Sequence, residues 1–203
     1  MLTFDKESHT YQLNGLQIPN VTSILDPLCD YSGIPRHIMK QASERGDYVH
    51  NACELFAWGL LDEDSIEPEY QGYLDAFKLF MVETGFEPEL IEQRVFHSRL
   101  RYAGTMDLGG ILPPLGRVKR PRRVLIDIKT TFKLMASVGP QTVAYLEAWN
   151  SVAPKEQHFE CRYGLQLKRD GSYKLLPFKE PSDMNVFLSC LNIHNFMKTR
   201  KNI

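Results

Sequence analysis

The chain has 203 residues, 43% of them hydrophobic and 24% charged, and a formal net charge of −1. That length supports one domain with a real core, and near-neutrality confines any nucleic-acid contact to local patches. Cys29, Cys53, Cys161 and Cys190 form no C-x-x-C pair, which argues against a zinc site or disulfide framework. No apolar run is long enough for a membrane span, and the polar start MLTFDKESHT does not read as a secretory signal.

In chain order, HTYQLNGLQIP predicts a short hairpin turning at Asn14-Gly15. Residues 35–59 read as a helix, with a break expected near Gly46. A second helix is expected over 68–84, with Tyr70, Tyr73, Leu74, Phe77, Phe80 and Met81 on one face. Three strands follow: LIEQRVFH, YAGTMDLGGIL and RRVLIDIKT. A loop with Pro113, Pro114 and Gly116 joins the second to the third. GPQTVAYLEAWN opens a helix, with Pro140 acceptable in its first turn. HFECRYGLQLKRDGSYKLLPF reads as a hairpin turning at Asp170-Gly171, and PSDMNVFLSCLNIHNFMKT as a closing helix. The order predicts an α/β or α+β sandwich around one mixed sheet. The expected organisation is a single domain over 1–203: an N-terminal hairpin and helices (1–85), a core (86–180) and a C-terminal helix (181–203).

Within RVLIDIKTT, Asp127 and Lys129 project from the same face of an otherwise apolar strand. An isolated D-x-K is ordinarily a local salt bridge. The preceding strand, however, carries Asp107 among Gly104, Thr105, Gly109 and Gly110, and glycine within a strand often marks close approach by a ligand or another backbone. If the two strands pair, Asp107 and Asp127 converge. Carboxylates sharing a site repel unless a cation neutralises them, and oxygen ligands suit Mg²⁺ or Mn²⁺. A lysine beside them can stabilise charge developing on a phosphate. The three side chains fit metal-assisted phosphodiester hydrolysis.

GTMD, then DIK about twenty residues later, then QTVAY resembles the PD-(D/E)xK nuclease superfamily, most closely its RecB-like exonuclease branch. That branch includes phage exonucleases and the mitochondrial genome maintenance exonuclease. The matching positions are Gly104 to Asp107, Asp127 to Lys129, and Gln141 to Tyr145, with Arg45-Gly46 and His50 upstream in ERGDYVHNACE. The resemblance spans roughly residues 44–176. Met106 stands where the superfamily's eponymous proline would. The resemblance implies a restriction-endonuclease-like core and a metal-dependent DNA exonuclease that hydrolyses phosphodiester bonds from DNA ends in replication, recombination or repair. It implies metal ligands at His50, Asp107, Asp127 and the Ile128 carbonyl, with Asp107, Asp127 and Lys129 as the catalytic set. Glu92 is a further acidic candidate, with a solvent-facing strand residue as the equal alternative. Glu54, on the His50 face, either orients the site or is solvated.

Gln141 and Tyr145 share a helix face; the resemblance implies that this helix lies next to the site, with the glutamine fixing active-site groups or the DNA, and the alternative is a helix that packs through Val143, Tyr145 and Leu146. Thr130 and Thr131 extend the strand and could hydrogen-bond a phosphate. The loop RVKRPRR, with Arg117, Lys119, Arg120, Arg122 and Arg123, joins the two acid-bearing strands, so a phosphate-backbone contact is expected of it. Arg99 and Arg101 could add to it, and His97 reads as an ordinary strand histidine. The cysteine spacing does not match the iron–sulfur pattern of some relatives, and no G-x-x-x-x-G-K-[ST] motif is present, so neither a cluster nor ATP is expected. The expected partner is DNA, through single- or double-stranded ends. A homo-oligomer or a recombination or single-strand-binding partner is left open. The expected setting is cytoplasmic, that of the bacterial host if the chain is phage-encoded. The competing readings are an endonuclease or nickase of the same superfamily and a non-catalytic DNA-binding recombination accessory.

Overall fold

The computed structural model describes residues 1–6 and 8–200. The first unit is a small antiparallel sheet of β1 (Leu2–Asp5), β2 (Thr10–Leu13) and β3 (Leu16–Ile18). Asn14 (φ 52°) and Gly15 (φ 78°) are both left-handed, the requirement of the tight turn that matches strand twist. The strand β1 is not expected from its polar start. Leu2 and Phe4 alternate with polar residues and pack onto Tyr11, Leu13 and Ile18, a signal too short to stand out. The short helix α1 (Val21–Leu25) is capped by Asn20, whose side chain accepts the Ser23 N–H at 2.7 Å.

Helix α2 (Arg36–Ala57) is continuous, without the break expected at Gly46. An interior glycine costs about 1 kcal/mol, and burial of Val49, Ala52 and Cys53 further along the helix offsets it. Helix α3 (Gln71–Thr84) buries Tyr73, Leu74, Phe77 and Phe80, and stops at left-handed Gly85, whose N–H donates to the Met81 carbonyl.

The chain is α+β. Its central mixed sheet has five strands in sequential order: β4 (Glu87–Phe96), β5 (Ala103–Leu112), β6 (Arg122–Lys129), β7 (Cys161–Leu167) and β8 (Tyr173–Phe178). Only β6 and β7 are parallel, and the helix α4 (Val138–Asn150) makes the crossover that a parallel pair needs. Helix α5 (Ser182–Arg200) closes the fold. One core lies between the sheet and α2/α3, around Phe77, Phe80, Ile126 and Leu165. The other lies under α1, α4 and α5, around Ile24, Tyr102, Leu125 and Phe187. Buried Arg162 ties α4 to α5: it donates to the Gly139 carbonyl (2.6 Å), the Thr142 hydroxyl (3.1 Å), the Glu180 carbonyl (3.0 Å) and Asp183 (2.7 Å). Among the described residues, no helix is long and apolar enough to cross a membrane.

The parallel pairing has one consequence for chemistry. Lys129 lies opposite Gln166, so β6 and β7 end together, and Thr130, Thr131, Gln166 and Leu167 at those ends border one cavity.

Candidate metal and catalytic site

Strand pairing brings the acidic residues together. Leu108 lies opposite Ile126 in the β5–β6 ladder. Beyond that pair, the ladder gives way to a side-chain bond: Ile128 N–H donates to Asp107 Oδ2 at 2.6 Å. Asp107 also marks a reversal of the strand's facing. Met106 packs in the α4-side core and Leu108 in the α2/α3-side core, although residues two apart ordinarily share a face. The neighbouring strand turns at the same level. Ile91 packs toward α2/α3 and Val95 toward α4, and between them Glu92 has φ 47°. A non-glycine residue in this region costs of order 1–3 kcal/mol. The twist carries the Glu92 and Asp107 carboxylates toward α2.

There they meet His50. Its Nε2 lies 3.0 Å from the Ile128 carbonyl oxygen. A carbonyl can only accept, so Nε2 carries the proton and Nδ1 is the atom left facing the acids. Nδ1 is 3.6 Å from Asp107 Oδ1 and 3.9 Å from Glu92 Oε1. One donor atom from each of His50, Glu92 and Asp107 lies within 4.8 Å of the others. Burial alone would discharge the imidazole, but Asp107 and Glu92 outweigh it and push its pKa up to about 9.

Asp127 and Lys129 form the second half of the site. Asp127 is 1% exposed. Lys129 Nζ stands 2.5 Å from its Oδ2, a close ion pair. Apart from that ammonium, no donor reaches either buried Asp127 oxygen, and these are the only buried side-chain polar atoms so placed among the described residues. Burial pushes the Asp127 pKa up to about 6, against the pull of Lys129. Burial likewise raises the Asp107 carboxyl, with Glu92 adding to it and His50 and Lys129 opposing. The Lys129 ammonium is disfavoured by burial, yet Asp127 and Asp107 hold its pKa above the usual lysine value.

The donor set fits a divalent cation. An imidazole nitrogen and two carboxylates converge, the imidazole is oriented by a backbone carbonyl through its other nitrogen, and a further buried carboxylate beside them has the Lys129 ammonium as its one close partner. An N/O set of this kind suits Mn²⁺ and Mg²⁺. The grouping differs in composition from the sequence expectation. Glu92 belongs to the three-residue cluster; Asp127 instead pairs with Lys129, and the Ile128 carbonyl receives the His50 hydrogen bond.

The remaining candidates divide. Gln141 borders a cavity of about 240 Å³ together with Lys129, Thr131 and Cys29, and donates to Tyr145 Oη at 3.2 Å. Tyr145 is buried beneath it. Its ring explains Gly104, since a Cβ there would stand 2.5 Å from Tyr145 Cε1. Gly109 likewise leaves room for the ring of Phe159. The close approach that these glycines signalled is made by aromatic rings of the protein itself. Thr130 is buried and accepts from Arg45 Nε at 3.4 Å. Thr131 borders both the 240 Å³ cavity and a larger one of about 690 Å³.

The arginine loop is not brought to the site. Arg122 begins β6 and Asp127 lies five residues along it, about 16 Å away at strand rise. Three of its five cations also have internal partners. Arg120 pairs with Glu160 at 2.5 Å and Arg123 with Glu89, while Arg122 donates to Tyr163 Oη (2.6 Å) and Cys161 Sγ (3.1 Å). His97 staples the β4–β5 turn: its buried Nδ1 accepts the N–H groups of Arg99 and Leu100, each at 3.2 Å. Sequence reasoning missed the left-handed Glu92, for which no local turn signal exists. When the chain is compared with known proteins, no family model and no curated protein matches it.

Proposed function

We propose that this chain is a metal-dependent deoxyribonuclease that hydrolyses phosphodiester bonds from DNA ends. The observation that carries the reading is the orientation of His50. Its Nε2 is spent on the Ile128 carbonyl, so Nδ1 faces Glu92 and Asp107 directly beside the buried Asp127–Lys129 pair. A structural histidine has no need of two acidic neighbours, and a buried carboxylate whose one close partner is a single ammonium keeps acceptor capacity that is costly to leave unused.

In this reading His50, Glu92 and Asp107 hold a divalent cation, with Asp127 beside them. When bound, the cation lowers the pKa of a water and neutralises charge on the scissile phosphate. The chain's own groups supply the rest. The Ile128 N–H fixes Asp107, and the Ile128 carbonyl fixes the His50 ring. Asp127 holds Lys129 protonated, so its ammonium is available to phosphate oxygens as negative charge develops. Gln141, on the same cavity as Lys129, offers an uncharged polar group to substrate.

End-labelled linear DNA and relaxed closed circles of the same sequence, incubated at equal concentration with Mn²⁺, test this. The expected result is acid-soluble nucleotides from the linear form while the circles survive. Nicking of the circles at a matching rate would replace end-directed attack by endonuclease action. Binding to DNA with no cleavage under either metal would leave a non-catalytic accessory.

A further inference from the structure

We propose that the strand entering the site is single-stranded DNA, held in the basic groove beside the ends of β6 and β7, with Phe132 stacking on an unpaired base. The proposal deepens the nuclease reading and rests on it for the identity of the ligand. The groove is the cavity of about 690 Å³, and it is bordered by Arg45, Lys133, Lys168, Arg169 and Lys174. Among the described residues, none of these five cations is in an ion pair. The lone acid on the same wall, Asp170, turns its Oδ1 to the N–H and hydroxyl of Ser172, at 3.0 and 2.6 Å. In a chain of net charge −1, five such cations on one groove are a local phosphate-binding surface. Glu44 and Glu69 line the adjoining cavity, which shares Arg45 and Arg169, so the basic surface stops there. At its other end the groove reaches Thr130 and Thr131, the residues that follow Lys129.

Phe132 adds the base-reading element. Its side chain is fully exposed, although burying a phenylalanine is worth about 2 kcal/mol. A single exposed apolar residue is ordinary; what sets this one apart is how it is held. The buried Gln166 donates its Nε2 to the carbonyls of both Thr131 and Phe132, at 2.6 and 2.7 Å. The backbone is thus fixed while the ring projects over the groove's border. A lone ring there can stack only on a base that is not already paired and stacked in a duplex, which is how sequence-tolerant single-strand binders grip their ligand.

Fluorescence anisotropy of a labelled single-stranded oligonucleotide and of the same sequence as a blunt duplex, in EDTA, tests the groove separately from cleavage. Phe132→Ala is expected to weaken single-strand binding about 5- to 100-fold and leave duplex binding unchanged, while Phe132→Trp retains it. The joint variant Lys168→Gln, Arg169→Gln and Lys174→Gln is expected to lower the slope of log affinity against log salt by about 0.7 for each phosphate that is no longer neutralised. Among the described residues, the side chains of Phe132, Lys168, Arg169 and Lys174 form no hydrogen bond or ion pair, so the substitutions leave the fold in place. Single-strand affinity unchanged in Phe132→Ala, or an equal loss on the duplex, would overturn the proposal. Because no metal is present, either result stands whether or not the chain cleaves DNA.

Discussion

Replacing Glu92 by glycine and, separately, by alanine isolates the strain built into the site. Both variants lose the carboxylate, so its electrostatic effects cancel in the comparison, and only the backbone differs. At φ 47° an L-residue costs about 1–2 kcal/mol that glycine escapes. Glycine has its own entropic cost, about 0.5–1 kcal/mol against alanine in a regular strand. At the middle of those two ranges, Glu92→Gly is expected to be more stable than Glu92→Ala by about 0.5–1 kcal/mol. In a regular strand the order would be reversed. For a chain of this size that difference is about 1–4 °C in Tm, measurable by parallel thermal melts and by urea midpoints at equal m-value. Both variants should bind Mn²⁺ more weakly than the parent. If alanine proves as stable as glycine or more so, Glu92 sits in ordinary extended backbone, and the twist that turns it toward His50 is wrong.

Two further outcomes follow from the same geometry. Gly104→Ala drives a methyl to 2.5 Å from the Tyr145 ring and should destabilise the fold by about 1–3 kcal/mol; the double variant with Tyr145→Leu should recover part of that in a double-mutant cycle, and strict additivity would deny the contact. The imidazolium of His50, with its pKa held up to about 9, contributes stability that is fully present below about pH 6.5 and lost as pH rises through 9. Urea unfolding of the metal-free protein should therefore show up to about 2–3 kcal/mol lost over that interval, a loss absent in His50→Asn, and a flat profile in the parent would contradict the His50–Asp107–Glu92 arrangement.

What the sequence revealed was mostly local or periodic. Asn14-Gly15 announces its turn because both residues tolerate left-handed backbone, and the apolar face of α3 is read directly from its spacing. Asp107 and Asp127 were legible as a pair only on the condition that their two strands pair, and the β5–β6 ladder meets that condition. Periodicity could not show that alternation itself reverses at Asp107 and Glu92, since the reversal depends on one unusual φ at a residue with no glycine to mark it. Nor could charge density tell an unpaired cation from a paired one. Arg120 and Arg123 stand in the densest basic run, yet Glu160 and Glu89, which engage them, lie 40 and 34 residues away in the chain. The cations of the groove are scattered over α2, the loop after β6 and the β7–β8 hairpin, and become a cluster only when the fold gathers them.

In the proposed nuclease, Lys129 separates metal binding from chemistry, because it lies beside the three-residue cluster without belonging to it. Linear DNA digested by the parent chain and by Lys129→Ala, each with Mn²⁺ and with EDTA, alongside calorimetric Mn²⁺ binding to both, tests the central claim directly. Release of acid-soluble nucleotides is predicted for the parent in Mn²⁺ alone, and Lys129→Ala is predicted to bind Mn²⁺ yet release none. Release by Lys129→Ala at the parent's rate, or by the parent in EDTA, would contradict the account.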